Sequence, residues 1–315
     1  MSFFKRTKRL QELFILMLSV VAFSHAAQSA SNTSGRPHRI KTVFVIMMEN
    51  HNWTGDGSLD IKGNPEAPYI NYDLLPNGAH ANNYWNPPHE HPSLGNYLWL
   101  EAGTDFGING AVTQGSVKQN TQFTTEHLVH QLTQAGYTWK GWGGKAFPLN
   151  TCPVVQWSFP MVFFSDVTND ASPTSPTCIA HIRPLSELDA HLANGTVPNY
   201  NFIVPSLCQD MHTGCGGTNP IKDGDNWLKA NVPKILNSTQ YKDGGALFIV
   251  WDEAAKGDGP IGMILMSPFA KQGYANSIHY THGSLLRTVE EIFNVPLLRN
   301  ANQETDLSNL FSVFP

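Results

Sequence analysis

Short runs of consecutive apolar residues, many of them β-branched or aromatic, alternate in this sequence with longer stretches in which apolar residues return every three or four positions. Thr42–Met48, Tyr200–Val204, Ala246–Trp251 and Gly262–Met266 have the length and composition of buried strands. Helical periodicity is clearest over Ser284–Phe293, where Leu285, Leu286, Val289, Ile292 and Phe293 share one face. A second helix is expected over Thr125–Ala135, with a threonine to cap its start and Gly136 its end. A third is expected over Asn226–Leu236 after a capping Asp225, kinked or divided by Pro233. Strands spaced between helices predict an α/β fold with a mostly parallel central sheet flanked by helices.

The polar clusters fall at particular points on this map. Glu49-Asn50 follows the first strand, Asp210 and His212 follow the Tyr200 strand, and Asp252-Glu253 follows the Ala246 strand. Ligands of open α/β sheets bind beyond the carboxyl ends of strands, so three separate clusters are expected to converge on one edge. Helix capping by an acid explains any one of them but explains three together poorly.

The start of the chain changes the compartment. Lys5, Arg6, Lys8 and Arg9, the apolar run Leu13–Phe23 and the small residues Ala26, Ala27 and Ala30 have the layout of an export signal over residues 1–30. The apolar run is short for a membrane span, so no stable insertion is expected and the protein is placed as secreted or periplasmic. Residues 31–315 are then expected to form one domain. The formal charge is −5; the leader's four bases and one acid carry +3, which leaves −8 on the remainder and no electrostatic reason to bind nucleic acid. Four cysteines in an exported chain favour disulfides, paired by proximity as Cys152–Cys178 and Cys208–Cys215. A thiolate zinc site is the other reading, though the close CxxC pairs of such sites are missing. Sequons begin at Asn32, Asn52, Asn194 and Asn237 and matter only in a eukaryotic host. Oligomeric state is left open.

The residue types at the expected sheet edge suit one divalent cation. Glu49, Asn50, Asp252 and Glu253 offer hard oxygen donors, which favour magnesium, calcium or manganese, while carboxylates also accept zinc. Ser93, in His91-Pro92-Ser93-Leu94-Gly95-Asn96-Tyr97, is a weak nucleophile unless a metal stabilises its alkoxide. Asn96, one turn later, could donate its amide to a phosphoryl oxygen. A serine after a proline is equally suited to capping a helix. His212 and His282 could hold an anion or protonate a leaving group, although a lone loop histidine is often incidental.

Taken in order, these blocks resemble the phosphoesterases of the alkaline phosphatase superfamily that include secreted acid phosphatases and phosphatidylcholine-type phospholipases C. The matching segments are Val45–His51, Ala67–Asn71, His91–Tyr97, Asp210–His212, Gly224–Leu228, Trp251–Glu253 and His282–Glu290. The resemblance implies an alkaline-phosphatase-like fold, with Glu49, Asn50, Asp252 and Glu253 as metal ligands. It makes Ser93 the nucleophile on that metal, with Asn96 beside it, and puts His212 and His282 around the transferred phosphate, His282 favoured as a phosphate contact. Gly95 stands where the family commonly has proline. The stretch Gln156-Trp157-Ser158-Phe159-Pro160 lacks a histidine that small members carry, which bears on substrate binding. The short chain favours a small phosphomonoester substrate through a phosphoserine intermediate. A phospholipase C acting on phospholipids is the alternative, to which Trp53, Trp85, Trp99 and Trp142 could lend an apolar surface, and a non-catalytic metal- or phosphate-binding protein is the reading from another class.

Overall fold

The computed structural model describes residues 39–87, 91–108, 116–145, 147–154 and 159–315. The leader, the sequon at Asn32 and most of the Gln156–Pro160 stretch lie outside the described residues.

Among the described residues there are ten strands: β1 Thr42–Met48, β2 Ala79–Ala81, β3 Tyr84–Trp85, β4 Trp139–Gly143, β5 Ile182–Pro184, β6 Tyr200–Val204, β7 Gly245–Trp251, β8 Met263–Met266, β9 Tyr274–Asn276 and β10 Tyr280–Thr281. Eight form one sheet in the order β5-β4-β6-β1-β7-β8-β2-β9, while β3 and β10 pair separately. Every pairing in the large sheet is parallel except those of β8 with β7 and with β2. Seven strands therefore run one way and β8 alone is reversed. All residues of β1 and β7 are buried, as expected of central strands covered by helices on both faces.

The helices adjust three sequence expectations. The one expected from Thr125 begins at Leu128, with His127 at its N-cap and no side-chain cap, because Glu101 rather than a local threonine accepts from the Val129 N–H. The one expected from Asn226 runs from Pro220 to Asn237 and is capped by Asn219, whose side-chain oxygen accepts from the Ile221 and Lys222 N–H groups. Asp225 is thus inside that helix, where its carboxylate accepts the N–H groups of Tyr69 and Ile70 at 3.0 and 2.8 Å and so caps a neighbouring helical segment across the fold. Pro233 does not divide the helix; burial of Trp227, Leu228, Val232 and Ile235 holds it together against the local propensity. The helix predicted over Ser284–Phe293 starts at His282, with Thr281 as cap and Asn294 in the left-handed conformation at its end.

Cys152–Cys178 and Cys208–Cys215 are both bridged, with Cα atoms 5.3 Å apart in each pair, so no thiolate remains for a zinc site. The Asn52 sequon is buried, its side-chain oxygen accepting from Ala255 and Lys256, whereas Asn194 and Asn237 are exposed. No helix among the described residues is long and apolar enough to cross a membrane.

Candidate active site

Because β1 and β7 are neighbours in register, with Met48 opposite Trp251, the residues that follow them emerge together at one edge of the sheet. Backbone bonds fix them there: Asp252 N–H donates to Met48 O at 3.0 Å, and Asn50 N–H donates to Asp252 Oδ1 at 2.9 Å. On the other side of β1, the chain leaving β6 brings Asp210, whose carbonyl accepts the Glu49 N–H at 2.7 Å. Asn50 is in the left-handed region, φ 48°, which asparagine tolerates better than most residues and which turns the chain sharply at the strand end.

Ser93 opens the helix Leu94–Ala102 but does not cap it; its backbone is helical and its hydroxyl donates instead to Glu49 Oε2 at 3.5 Å. Residues three and four positions on lie on the same helix face. Asn96 Nδ2 there donates to Glu253 Oε2 at 3.0 Å, and the Tyr97 hydroxyl donates to Glu49 Oε1. One helical turn thus addresses the acids that follow both strands. Tyr97 and Asp210 were not assigned roles from sequence; the i+4 spacing of Tyr97 from Ser93 was the available signal for the first.

Glu49, Asp252, Glu253 and Asp210 are all buried. Burial, and then the neighbouring Asp252 and Asp210 charges, push the Glu49 carboxyl well above the usual carboxylate range. Burial likewise raises Asp252, opposed by the Asn50 N–H. Burial brings Asp210 to about 7, and brings Glu253 to about 7 against the hydrogen bond from His91. So many acids packed together cannot all ionise near neutrality without a compensating cation. Among the described residues, the side-chain oxygens Asn50 Oδ1 and Asp252 Oδ2 are buried without a hydrogen-bond partner. Orphaned oxygens beside crowded carboxylates are the donor chemistry a hard divalent cation requires, so the residues fit such an ion.

The histidines separate into two groups. His282 is fully buried: Nε2–H donates to the Asp252 carbonyl at 2.6 Å, and Nδ1 accepts from the Tyr84 hydroxyl at 3.0 Å. Burial lowers it to about 4, so it is neutral. With both nitrogens engaged by protein atoms, His282 braces the Asp252 backbone. His212 is exposed and lines an open cavity of about 720 Å³ together with Asn50, His51, His91, Glu253 and Asp258. His91, which sequence reasoning left unassigned, sits 3.2 Å from Glu253 Oε2 and 3.4 Å from Asp258 Oδ1. Trp53 and Trp142 are buried in the core, and neither they nor Trp85 and Trp99 are among the described residues that line this cavity.

The sequence profile of the Phosphoesterase family matches residues 64–296. Over 277 residues the chain is 26% identical to the phosphatidylinositol-3-phosphatase of Mycobacterium tuberculosis, a match covering 85% of this chain and 82% of that protein. It is 24% identical over 269 residues to an acid phosphatase of Aspergillus niger, covering 76% of this chain and 61% of the fungal protein. Among solved structures it is similar to a protein of the alkaline phosphatase superfamily from Vibrio parahaemolyticus, with a TM-score of 0.57 at 14% identity over 82% of this chain and 67% of that one. It is similar also to the phosphonate monoester hydrolase of Silicibacter pomeroyi, with a TM-score of 0.56 at 12% identity over 87% of this chain and 76% of that one. At these identities the structural likeness speaks for the alkaline-phosphatase-like fold.

Proposed function

This chain belongs to the Phosphoesterase family and is a phosphoric ester hydrolase, and from that premise we propose that it is an exported, metal-dependent phosphomonoesterase in which Ser93 carries the phosphoryl group between two displacements. The observation that carries this reading is the Ser93 hydroxyl, buried and 3.5 Å from Glu49 Oε2 within a cluster of acids that repel one another. A divalent cation held by Glu49, Asn50, Asp252, Glu253 and Ser93 would lower the pKa of the Ser93 hydroxyl and offset charge on the phosphoryl oxygens.

The chain's own residues supply the rest. Ser93 gives up its hydroxyl proton to solvent and its Oγ bonds to phosphorus as the ester P–O bond opposite breaks, while the departing alkoxide takes a proton from an imidazole lining the cavity, His212 or His91. Asn96, held by Glu253, redirects its amide to a phosphoryl oxygen when substrate arrives. Tyr97 orients Glu49 and His282 orients Asp252, so the acids keep their places while the charge on the substrate changes. Water then attacks the phosphoserine, releasing inorganic phosphate and returning the hydroxyl.

Phosphomonoesters are favoured over phospholipid diesters because the relatives are named phosphatases. Export is part of the same proposal, with residues 1–30 as signal and 31–315 as one phosphoesterase domain; the two disulfides support an oxidising destination. Purified protein is to be assayed with p-nitrophenyl phosphate and bis-p-nitrophenyl phosphate, before and after chelation. Monoester turnover that falls about a thousandfold or more in Ser93→Ala, and that returns when a divalent ion is restored to chelated enzyme, is the expected result. Preference for the diester would move the assignment to the phospholipase C type. Undiminished turnover in Ser93→Ala would remove the phosphoserine step, and no turnover of either ester would leave a binding protein.

A further inference from the structure

A second cluster of side chains with the chemistry of metal ligands lies apart from the carboxylates beside Ser93. Glu101 is on the same helix as Ser93, eight residues further on and so about 12 Å along its axis. It faces His127, the N-cap of the helix Leu128–Gln134; His130 is one turn into that helix, and Asp166 is in the first turn of Ser165–Thr168. His127 is fully buried and its ring is stacked on Phe164 with centroids 3.9 Å apart, so its plane is fixed.

The contacts define which atoms face one another. Glu101 Oε1 is 2.8 Å from His127 Nδ1 and also accepts the Val129 N–H at 3.0 Å. A carboxylate in that place keeps the proton on Nδ1, which turns Nε2 towards Asp166. His127 Nε2 is 3.0 and 3.2 Å from the two Asp166 oxygens, and His130 Nδ1 is 2.8 Å from Asp166 Oδ2. One ligand atom from each of His127, His130 and Asp166 lies within 4.8 Å of the others. Both His127 nitrogens face carboxylates, so each contact is bridged by a proton or a metal ion, and His130 Nδ1 meets Asp166 through one or the other as well.

We propose that His127 Nε2, His130 Nδ1 and Asp166 hold a zinc-class divalent ion that ties the start of the Leu128–Gln134 helix to the Ser165–Thr168 turn. Zinc–ligand bonds of about 2.0–2.1 Å at tetrahedral angles put neighbouring ligand atoms roughly 3.3 Å apart, against 3.0 and 3.2 Å from Asp166 to His127 and 2.8 Å from Asp166 to His130, so His130 moves outward slightly to bind. Nitrogen donors select zinc over magnesium or calcium, in contrast to the all-oxygen set beside Ser93. Glu101 behind His127 reproduces the carboxylate–histidine–metal relay that fixes a ligand's tautomer. A fourth position is open: His130 and Asp166, with side chains 28% exposed, line a cavity of about 280 Å³ with Thr133, Thr177 and His181. The two carboxylates and a divalent ion also balance in charge, with both imidazoles neutral.

The test uses the full-length protein, stripped with chelator and then saturated with magnesium to fill the carboxylate cluster. Calorimetric titration with zinc chloride should show one equivalent bound, and cobalt in its place should give visible bands of a four-coordinate site. Glu49→Gln should keep that equivalent, Glu101→Gln should weaken it about ten- to a hundredfold, and His130→Ala should abolish it. Because His130 is partly exposed, His130→Ala should match the wild type in metal-free melting temperature and lack only the rise that zinc produces. Zinc binding that survives His130→Ala, or that is lost equally in Glu49→Gln, would overturn the assignment. The absence of any zinc equivalent in the wild type would also overturn it and make the cluster a His127 imidazolium shared by Glu101 and Asp166.

Discussion

Stripping divalent cations from this protein should make its stability fall as pH rises from about 4 to just above 7. Asp210 and Glu253 each titrate at about 7 in the folded chain, from ordinary values of 3.8 and 4.5, and Glu49 and Asp252 are raised as well. An acid with a higher pKa when folded binds more protons folded than unfolded between its two values, so its stabilising contribution is complete below the unfolded pKa and is lost as pH climbs through the folded one. At about 1.4 kcal/mol per pH unit, the shift of Asp210 alone is worth on the order of 4 kcal/mol. Glu253 contributes a loss of similar order across the same window; because the groups interact, the separate figures do not add. For a domain of this size, 4 kcal/mol is a melting-temperature change on the order of 10 °C. Thermal unfolding at pH 5, 6, 7 and 8, with EDTA or with excess magnesium or calcium, measures it. The metal-free curve should decline with pH and the loaded one should not. Asp210→Asn should remove part of the decline, leaving stability at pH 5 near that of the wild type and raising it at pH 8. A metal-free protein whose stability is level or increasing between pH 5 and 8 would refute the reasoning.

Other perturbations probe single contacts. His282→Gln, which keeps a donor but loses the ring geometry between Tyr84 and Asp252, should lower affinity for the activating cation about tenfold or more, read by calorimetric titration, with less effect on metal-free stability. Removing Cys152–Cys178, which closes 26 residues, should cost about 3.5 kcal/mol in denaturant unfolding, against about 2.4 kcal/mol for Cys208–Cys215, which closes 7. Gly262→Ala places a methyl 2.3 Å from the Trp53 ring at a positive φ of 71°, and a loss of roughly 2–3 kcal/mol in the same assay is expected.

Much of the architecture was written in local chemistry. Buried, mostly apolar runs identified β1, β6, β7 and β8 to within a residue at either end, because a strand covered on both faces reads as a nearly continuous apolar segment. Helix starts were less legible. The cap of Pro220–Asn237 was missed because Asp225 has the right chemistry for capping but spends it on Tyr69 and Ile70, which are distant in sequence. The acids after β1, β6 and β7 could be placed on one sheet edge from strand order in the chain alone, since parallel strands all end on the same side.

What sequence determined by itself was therefore the α/β class, the strand-end acids and the pairing of neighbouring cysteines. Tertiary structure alone decided which atoms meet. The register of β1 with β7 sets Asn50 against Asp252, the helix beginning at Ser93 aims Tyr97 at Glu49, and His282 is turned inward to brace a backbone carbonyl. It also joined Glu101, His127, His130 and Asp166, which belong to three different helices or their caps. The physical reason is range: propensity and periodicity act over a few residues, whereas the direction of a side chain at a site is fixed by partners 26 to 202 positions away.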